Sequence, residues 1–157
     1  MEKYALLLGY FEKQVPIIEK LYGQVRDLDV TDEDKGYVFA LKVHQLYTAI
    51  EDLFKQIAEV FENKIQDPAA FRKELLLRMN LTVPQIRPAV IGDDSLRLLD
   101  KLRAFRHFVR HAYDVELDTD ELLLLQNKLN QHFSRVIRDL EAFRKFTETL
   151  LASPKND

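Results

Sequence analysis

The sequence predicts an all-α fold: an up-and-down four-helix bundle with one additional short helix. Apolar residues recur at three- and four-residue spacing over long stretches, the pattern of helices with one buried stripe. Four glycines and five prolines punctuate 157 residues, so the helices are long and their links short. No stretch alternates apolar and polar residues as a half-buried strand would, and there is no repeat or low-complexity segment. Residues 1–152 read as one helical domain and residues 153–157 as a frayed tail.

The first helix carries Tyr4, Leu7, Leu8, Phe11, Val15, Ile18, Leu21, Tyr22 and Val25 at helical spacing. Pro16 interrupts it and predicts a kink or a restart. The turn from Asp27 to Asp32 follows, with Thr31 or Asp32 as N-cap of the next helix. That second helix runs from about Glu33 to Ile65. Its buried stripe is Val43, Leu46, Ile50, Leu53, Ile57, Val60 and Phe61, and its wet side is Glu51, Asp52, Lys55, Glu59 and Glu62. Asp67-Pro68 starts a short third helix through Phe71, Leu75, Leu76 and Met79. Leu81 to Gly92 holds Pro84, Pro88 and Gly92 and reads as an ordered loop. Asp94 or Ser95 caps the fourth helix, which extends to about Tyr113. The fifth begins near Asp118 and buries Leu122, Leu125, Leu129, Phe133, Val136, Leu140, Phe143 and Leu150.

The bulk properties narrow the function. Hydrophobic residues are 46% and charged residues 31%, the balance of a folded chain rather than a disordered one. No apolar run approaches the roughly 18 residues of a membrane span, and Met1-Glu2-Lys3-Tyr4 opens without the pattern of a secretory signal. The absence of cysteine removes disulfides and thiolate metal sites and suits a cytoplasmic location. The net charge is −3, yet Phe71 to Arg110 holds nine basic residues against four acids. A local basic face on an acidic chain suits a confined phosphate site better than a long nucleic-acid track.

The chemistry concentrates at the end of the fourth helix, in Arg103-Ala-Phe-Arg106-His107-Phe-Val-Arg110-His111-Ala-Tyr113-Asp114. On a helical wheel Leu98, Leu102, Phe105, Val109 and Ala112 face the core. Arg103, His107, Arg110 and Asp114 point away, with Arg106 and His111 on the flanks. Arginine grips phosphate with a planar fork and histidine moves protons near neutral pH. RNA cleavage through the ribose 2′-hydroxyl needs both. It also needs an acid and a base, so either His107 assists His111 or two subunits each supply a set. Arg106 and His111 stand about 140° apart on an ideal helix, so convergence needs a distorted helix end or a second subunit. A plainer reading has the arginines complementing the helix dipole and pairing with acids of neighbouring helices, which leaves the two histidines unexplained. The one-turn spacing of His107 and His111 also suits zinc, with His44 or Asp114 as a third ligand. The crowding arginines oppose a cation, however, and no metal or other cofactor is expected. Glu51 either orients a catalytic group or, on the plainer reading, is a surface acid; His44 reads as a packed or capping residue, and His132 as a residue of a solvated face. Tyr113 offers a hydroxyl that either contacts phosphate, accepts a modification, or lies half-buried at the helix end.

Arg106-x4-His111-x-Tyr113 resembles the Arg-x(4–6)-His motif of HEPN domains, in the extended form of HepT-like toxins. His44-Gln-Leu-Tyr-Thr-Ala-Ile-Glu-Asp-Leu-Phe, Phe71-Arg-Lys-Glu-Leu-Leu-Leu-Arg-Met and the Arg87-Pro-Ala-Val-Ile loop are similar to the same family, so the likeness spans roughly residues 35 to 150. The resemblance implies a metal-independent ribonuclease toxin of a type VII-like toxin–antitoxin pair. It implies a homodimer in which two motifs form a composite cleft for RNA. Arg106 and His111 are then the catalytic pair, and Tyr113 the tyrosine to which an MntA-like nucleotidyltransferase antitoxin adds AMP. Arg103, His107 and Arg110 are expected to bind phosphate from their places on the wheel. The alternative is a non-catalytic helical partner of a small nucleotidyltransferase.

Overall fold

In the computed structural model the described residues are 1–62, 71–111 and 116–153, and the side chains of Arg110 and His111 lie outside that description. Five helices follow in order: α1 (Glu2–Val25), α2 (Glu33–Phe61), α3 (Phe71–Met79), α4 (Asp93–His111) and α5 (Thr119–Ala152). Among the described residues the sheet-like pairing is a single bridge between Val83 and Arg87.

The four long helices form a ring in which α1 packs on α2 and α5, and α4 packs on the same two. Side-chain pairs show that neighbours run antiparallel. Tyr4 stacks on Phe61 while Gln14 donates to the carbonyl of Ala49 between α1 and α2. Phe11 meets Phe143, and Tyr22 meets Phe133 with ring centroids 4.0 Å apart, between α1 and α5. Leu7, Phe11, Ile18, Phe39, Val43, Ile50, Leu98, Leu102, Leu129 and Val136 belong to one buried cluster that lines the ring. The bundle expected from periodicity is the one observed.

The helix ends show how polar backbone is satisfied. Asp32 is the N-cap of α2, its carboxylate accepting from the backbone N–H of Lys35 at 3.0 Å. Asp118 caps α5 in the same way through the N–H of Asp120. The last carbonyl of α1 and one in the turn after it accept from α5: Gln126 Nε2 donates to Val25 and Leu28 at 2.9 Å each.

Several boundaries differ from the sequence expectation. α1 continues unbroken through Pro16, with no restart. Glu12 and Pro16 both face solvent, so the carbonyl that loses its partner at a mid-helix proline lies on the wet side. α2 stops at Phe61 because Glu62 is extended and its carboxylate is drawn to Arg87. The expected start of the third helix at Asp67-Pro68 lies outside the described residues, as do Ala112, Tyr113 and 154–157 of the tail. α4 begins at Asp93, ahead of the expected caps. Gly92 O accepts from Leu96 N at 3.0 Å, Ser95 Oγ donates to Asp139 of α5 at 2.6 Å, and Asp94 pairs with Arg97 and Arg135.

The loop before α4 is built on Arg87, whose side chain is fully buried. Its Nε donates to Glu62 at 2.8 Å and Nη2 also binds Glu62. The remaining donors reach the carbonyls of Leu81, Pro88 and Arg78 at 2.8, 3.1 and 3.0 Å. Removing one partner of a buried ion pair strands the other charge. Arg87→Met is therefore expected to cost about 3–5 kcal/mol, read as a lower urea midpoint, whereas Arg97→Met on the surface is expected to change stability by about 0.5 kcal/mol or less.

Candidate functional site

α4 lies against α2 with its C-terminal half toward the N-terminal half of α2. Phe105 meets Phe39 edge to face, with centroids 6.4 Å apart. Side chains on a helix lean toward its N-terminus. Arg106 accordingly reaches back along α4, and its Nε donates to Thr48 Oγ1 of α2 at 3.2 Å. Thr48 directs its own hydroxyl proton to the carbonyl of His44 at 2.9 Å, which leaves the oxygen turned to the guanidinium as acceptor.

Arg106 is 8% exposed, so it is not the flanking residue of a polar face that the wheel drew. α2 closes over that flank. Arg103, expected to point away from the core, is half-buried and paired with Asp100 of its own helix, Nε to Oδ1 at 3.0 Å. His107 is exposed on the outer side. His111 is the last residue of α4, and the side chains of Arg110, His111 and Tyr113 lie outside the described residues.

The correction with the largest consequence concerns Glu51. It is 2% exposed rather than a surface acid. Arg72 from α3 and Lys55 from the next turn of α2 cover it, at 3.3 and 3.5 Å from Oε1. Among the described residues its Oε2 is buried and accepts no hydrogen bond. Beside it, Tyr47 is buried at the α2–α4 seam. Burial pushes the Tyr47 hydroxyl well above its ordinary range and the charge of Glu51 adds to the rise, while Arg103, Arg106 and Arg72 oppose it. Tyr47 and Thr48 were absent from the site drawn from sequence, and Glu51 entered it only as the less favoured orienting acid. They occupy successive turns on the polar edge of α2's apolar stripe, at the three- and four-residue spacing that puts side chains on one face. That spacing was the available signal.

His44 is half-buried, in keeping with the packed role expected of it. His132 is half-buried too, with Nδ1 fully covered, and so is not on a solvated face. It borders a cavity of about 160 Å³ with Asp94, Arg97, Leu98, Lys101 and Lys128, between α4 and α5 and apart from the Arg106 seam.

The geometry offers a fixed guanidinium at the centre of an arginine-rich seam, one and a half turns before the histidine that ends the helix. A charged donor held in place beforehand is suited to stabilising charge that develops on phosphate oxygens.

Two measurements check this seam. Thr48→Val removes the acceptor of a buried charged donor and is expected to cost about 1–3 kcal/mol. A double-mutant cycle with Arg106→Met is expected to recover a coupling of about 0.5 kcal/mol or more, and additive effects would remove the contact from the account. Tyr47 ionises more readily in the unfolded chain than in the folded one. Its contribution to stability is thus complete below pH 10 and is lost as pH rises above that value. Absorbance titration is expected to show one of the six tyrosines silent until alkaline unfolding, and Tyr47→Phe is expected to flatten the alkaline loss.

Comparison of the sequence with known families matches it to a family described as HepT-like protein, over residues 38–147. It spans α2 from its second turn, α3, α4 and most of α5. No curated protein and no solved structure matches the chain.

Proposed function

The chain belongs to the HepT-like family, of the HEPN superfamily, and from that premise we propose that it is a metal-independent endoribonuclease toxin. It cleaves RNA through the ribose 2′-hydroxyl, at a composite site where the α4 ends of two subunits meet, and belongs to a type VII-like toxin–antitoxin pair. Arg106 and His111 are the catalytic pair. Arg103, His107 and Arg110 bind the phosphates flanking the scissile bond. Tyr113 is the residue that an MntA-like nucleotidyltransferase antitoxin modifies with AMP.

The observation that carries this reading is the buried, Thr48-bound Arg106, the first residue of Arg-x4-His-x-Tyr, on the helix that ends at His111. In the reaction the 2′-oxygen attacks phosphorus and the bond to the 5′-oxygen breaks. A histidine takes the 2′-hydroxyl proton, and an acid returns a proton to the leaving 5′-oxygen. The products are a 2′,3′-cyclic phosphate and a 5′-hydroxyl. Arg106 offsets the charge on the non-bridging oxygens in between. The histidine of the second subunit supplies the other proton-transfer group, since two residues 140° apart on one ideal helix do not face a common point. An adenylyl group on Tyr113 adds bulk and negative charge beside the cleft and excludes RNA by repulsion.

Purified protein incubated with labelled RNA in EDTA tests the proposal. The expected result is cyclic-phosphate ends from the wild type, with the rate reduced by at least roughly a hundredfold in His111→Ala and in Arg106→Ala. Intact RNA with wild-type protein whose Tyr113 is unmodified by mass spectrometry would overturn it. The protein would then be a non-catalytic partner of a nucleotidyltransferase.

A further inference from the structure

We propose that Arg72 of α3 is a phosphate-binding residue of the same site, aimed by buried Glu51 at a point beside the Thr48-bound Arg106. The proposal rests on the ribonuclease reading for the identity of its ligand, a phosphodiester of single-stranded RNA. It rests on geometry for the seat itself.

Two arginines from different helices grip one face of α2. Arg106 of α4 binds Thr48, and Arg72 of α3 binds Glu51, three residues further along. Residues three apart on a helix are neighbours, with Cβ atoms about 5–6 Å apart. Most other arginines of the basic stretch are tied to carboxylates by their terminal nitrogens. Arg78 binds Glu62 and Glu74, Arg87 binds Glu62, Arg97 binds Asp94, and Arg103 binds Asp100. Arg72 differs. It is held through Nε alone at 3.3 Å, and among the described residues its Nη1 and Nη2 have no hydrogen-bond partner. The side chain is 41% exposed, so this end of the fork is open to solvent and to a ligand.

Glu51 explains the orientation. Its carboxylate is 3% exposed, one oxygen facing Arg72 and Lys55 and the other accepting nothing among the described residues. A buried carboxylate with an unsatisfied oxygen is a costly way to fill space, and Gln or Met would pack there at lower cost. What the charge adds is a strong hold on the Nε edge of Arg72, which leaves the Nη edge to form the two parallel bonds that arginine makes to phosphate. Glu51 is accordingly a positioning residue, acting through Arg72.

The test uses full-length His111→Ala protein, which retains the seat without cutting, and a labelled single-stranded oligoribonucleotide. Binding is followed by anisotropy across a salt series. Adding Arg72→Ala is expected to weaken binding roughly tenfold to a hundredfold, with the melting temperature kept. The log–log salt slope is expected to shrink by about 0.7, the value of one lost contact on a single strand. Arg72→Lys keeps the charge without the fork and is expected to fall between. Arg138→Ala, on the exposed side of α5, is the control and is expected to bind as the parent does. Glu51→Gln is expected to weaken binding while the melting temperature holds or rises. A lower melting temperature with unchanged affinity would make Glu51 merely structural. Unchanged affinity and slope in Arg72→Ala would overturn the seat while leaving the ribonuclease reading intact. Inorganic phosphate separates the remaining cases, since it is expected to raise the melting temperature of the parent and not of Arg72→Ala. If that holds while no RNA binds, the seat stands and the ribonuclease reading falls. If phosphate and RNA both fail to distinguish the two proteins, the seat is wrong.

Discussion

The buried guanidinium of Arg87 sets the frame on which the rest of the structure depends. An arginine has five N–H donors, and this one uses them on Glu62 just past α2, on the carbonyl of Arg78 near the end of α3, and on two loop carbonyls. The carbonyl of Arg78 lies in the last turn of α3, where the helix has no N–H of its own to offer, and those of Leu81 and Pro88 lie in the loop that follows. A single side chain thereby fixes where α2 ends, where α3 ends and how the chain turns toward α4. Val90 and Ile91 follow, buried, with their backbone N–H groups on the carbonyl of Met79. Gly92 N–H and Ser95 Oγ then lock onto Asp139 of α5. By its first turn α4 is placed against both α2 and α5.

That placement is made at one end of α4 and read out at the other. A helix of 19 residues is a rigid spacer of about 28 Å, so its register at Ser95 decides which residues meet α2 ten residues later. Arg106 meets Thr48, and Phe105 meets Phe39. α3 works in the same direction. It is a single short helix pinned by Arg87 at its C-terminus, and its first turn delivers Arg72 onto Glu51. Two arginines distant in sequence thus come to lie on neighbouring turns of α2.

How much of this was legible in the sequence follows from what periodicity can encode. The 3.6-residue repeat carries the identity of each helix and its buried stripe, and the fold was readable from it. Asp32 and Asp118 were readable as helix starts because capping is local chemistry. Glu51 and Arg106 were misplaced for a shared reason. A wheel ranks the faces of one helix by its own apolar residues, whereas burial at the edge of a stripe depends on which neighbour leans over it. α4 covers the Thr48 edge of α2 and α3 covers the Glu51 edge, and neither fact is local. Pro16 shows the converse limit, since its penalty depends on whether water reaches the disrupted turn. The Arg-x4-His-x-Tyr string was visible from the start, but Thr48, which holds its arginine, was not.

The charge distribution bears on how such a site would hold its substrate. The surplus of basic residues between Phe71 and Arg110 reads in sequence as a local basic face, and in the structure Arg78, Arg87 and Arg97 of that stretch are each tied to a carboxylate. On the proposed reading the phosphate contacts gather where α3 and α4 meet α2. On the proposed reading a site of that size would contact few phosphates and gain little from counterion release, so a single subunit would hold a long strand with modest affinity. Two copies facing one another double the contacts without enlarging either face. A confined cationic seam on an acidic protein therefore suits the proposed cleft, completed by a second subunit, better than a groove that tracks RNA along one. The same economy would make the proposed cleft easy to close, since one added negative group among so few cations removes a large part of the attraction.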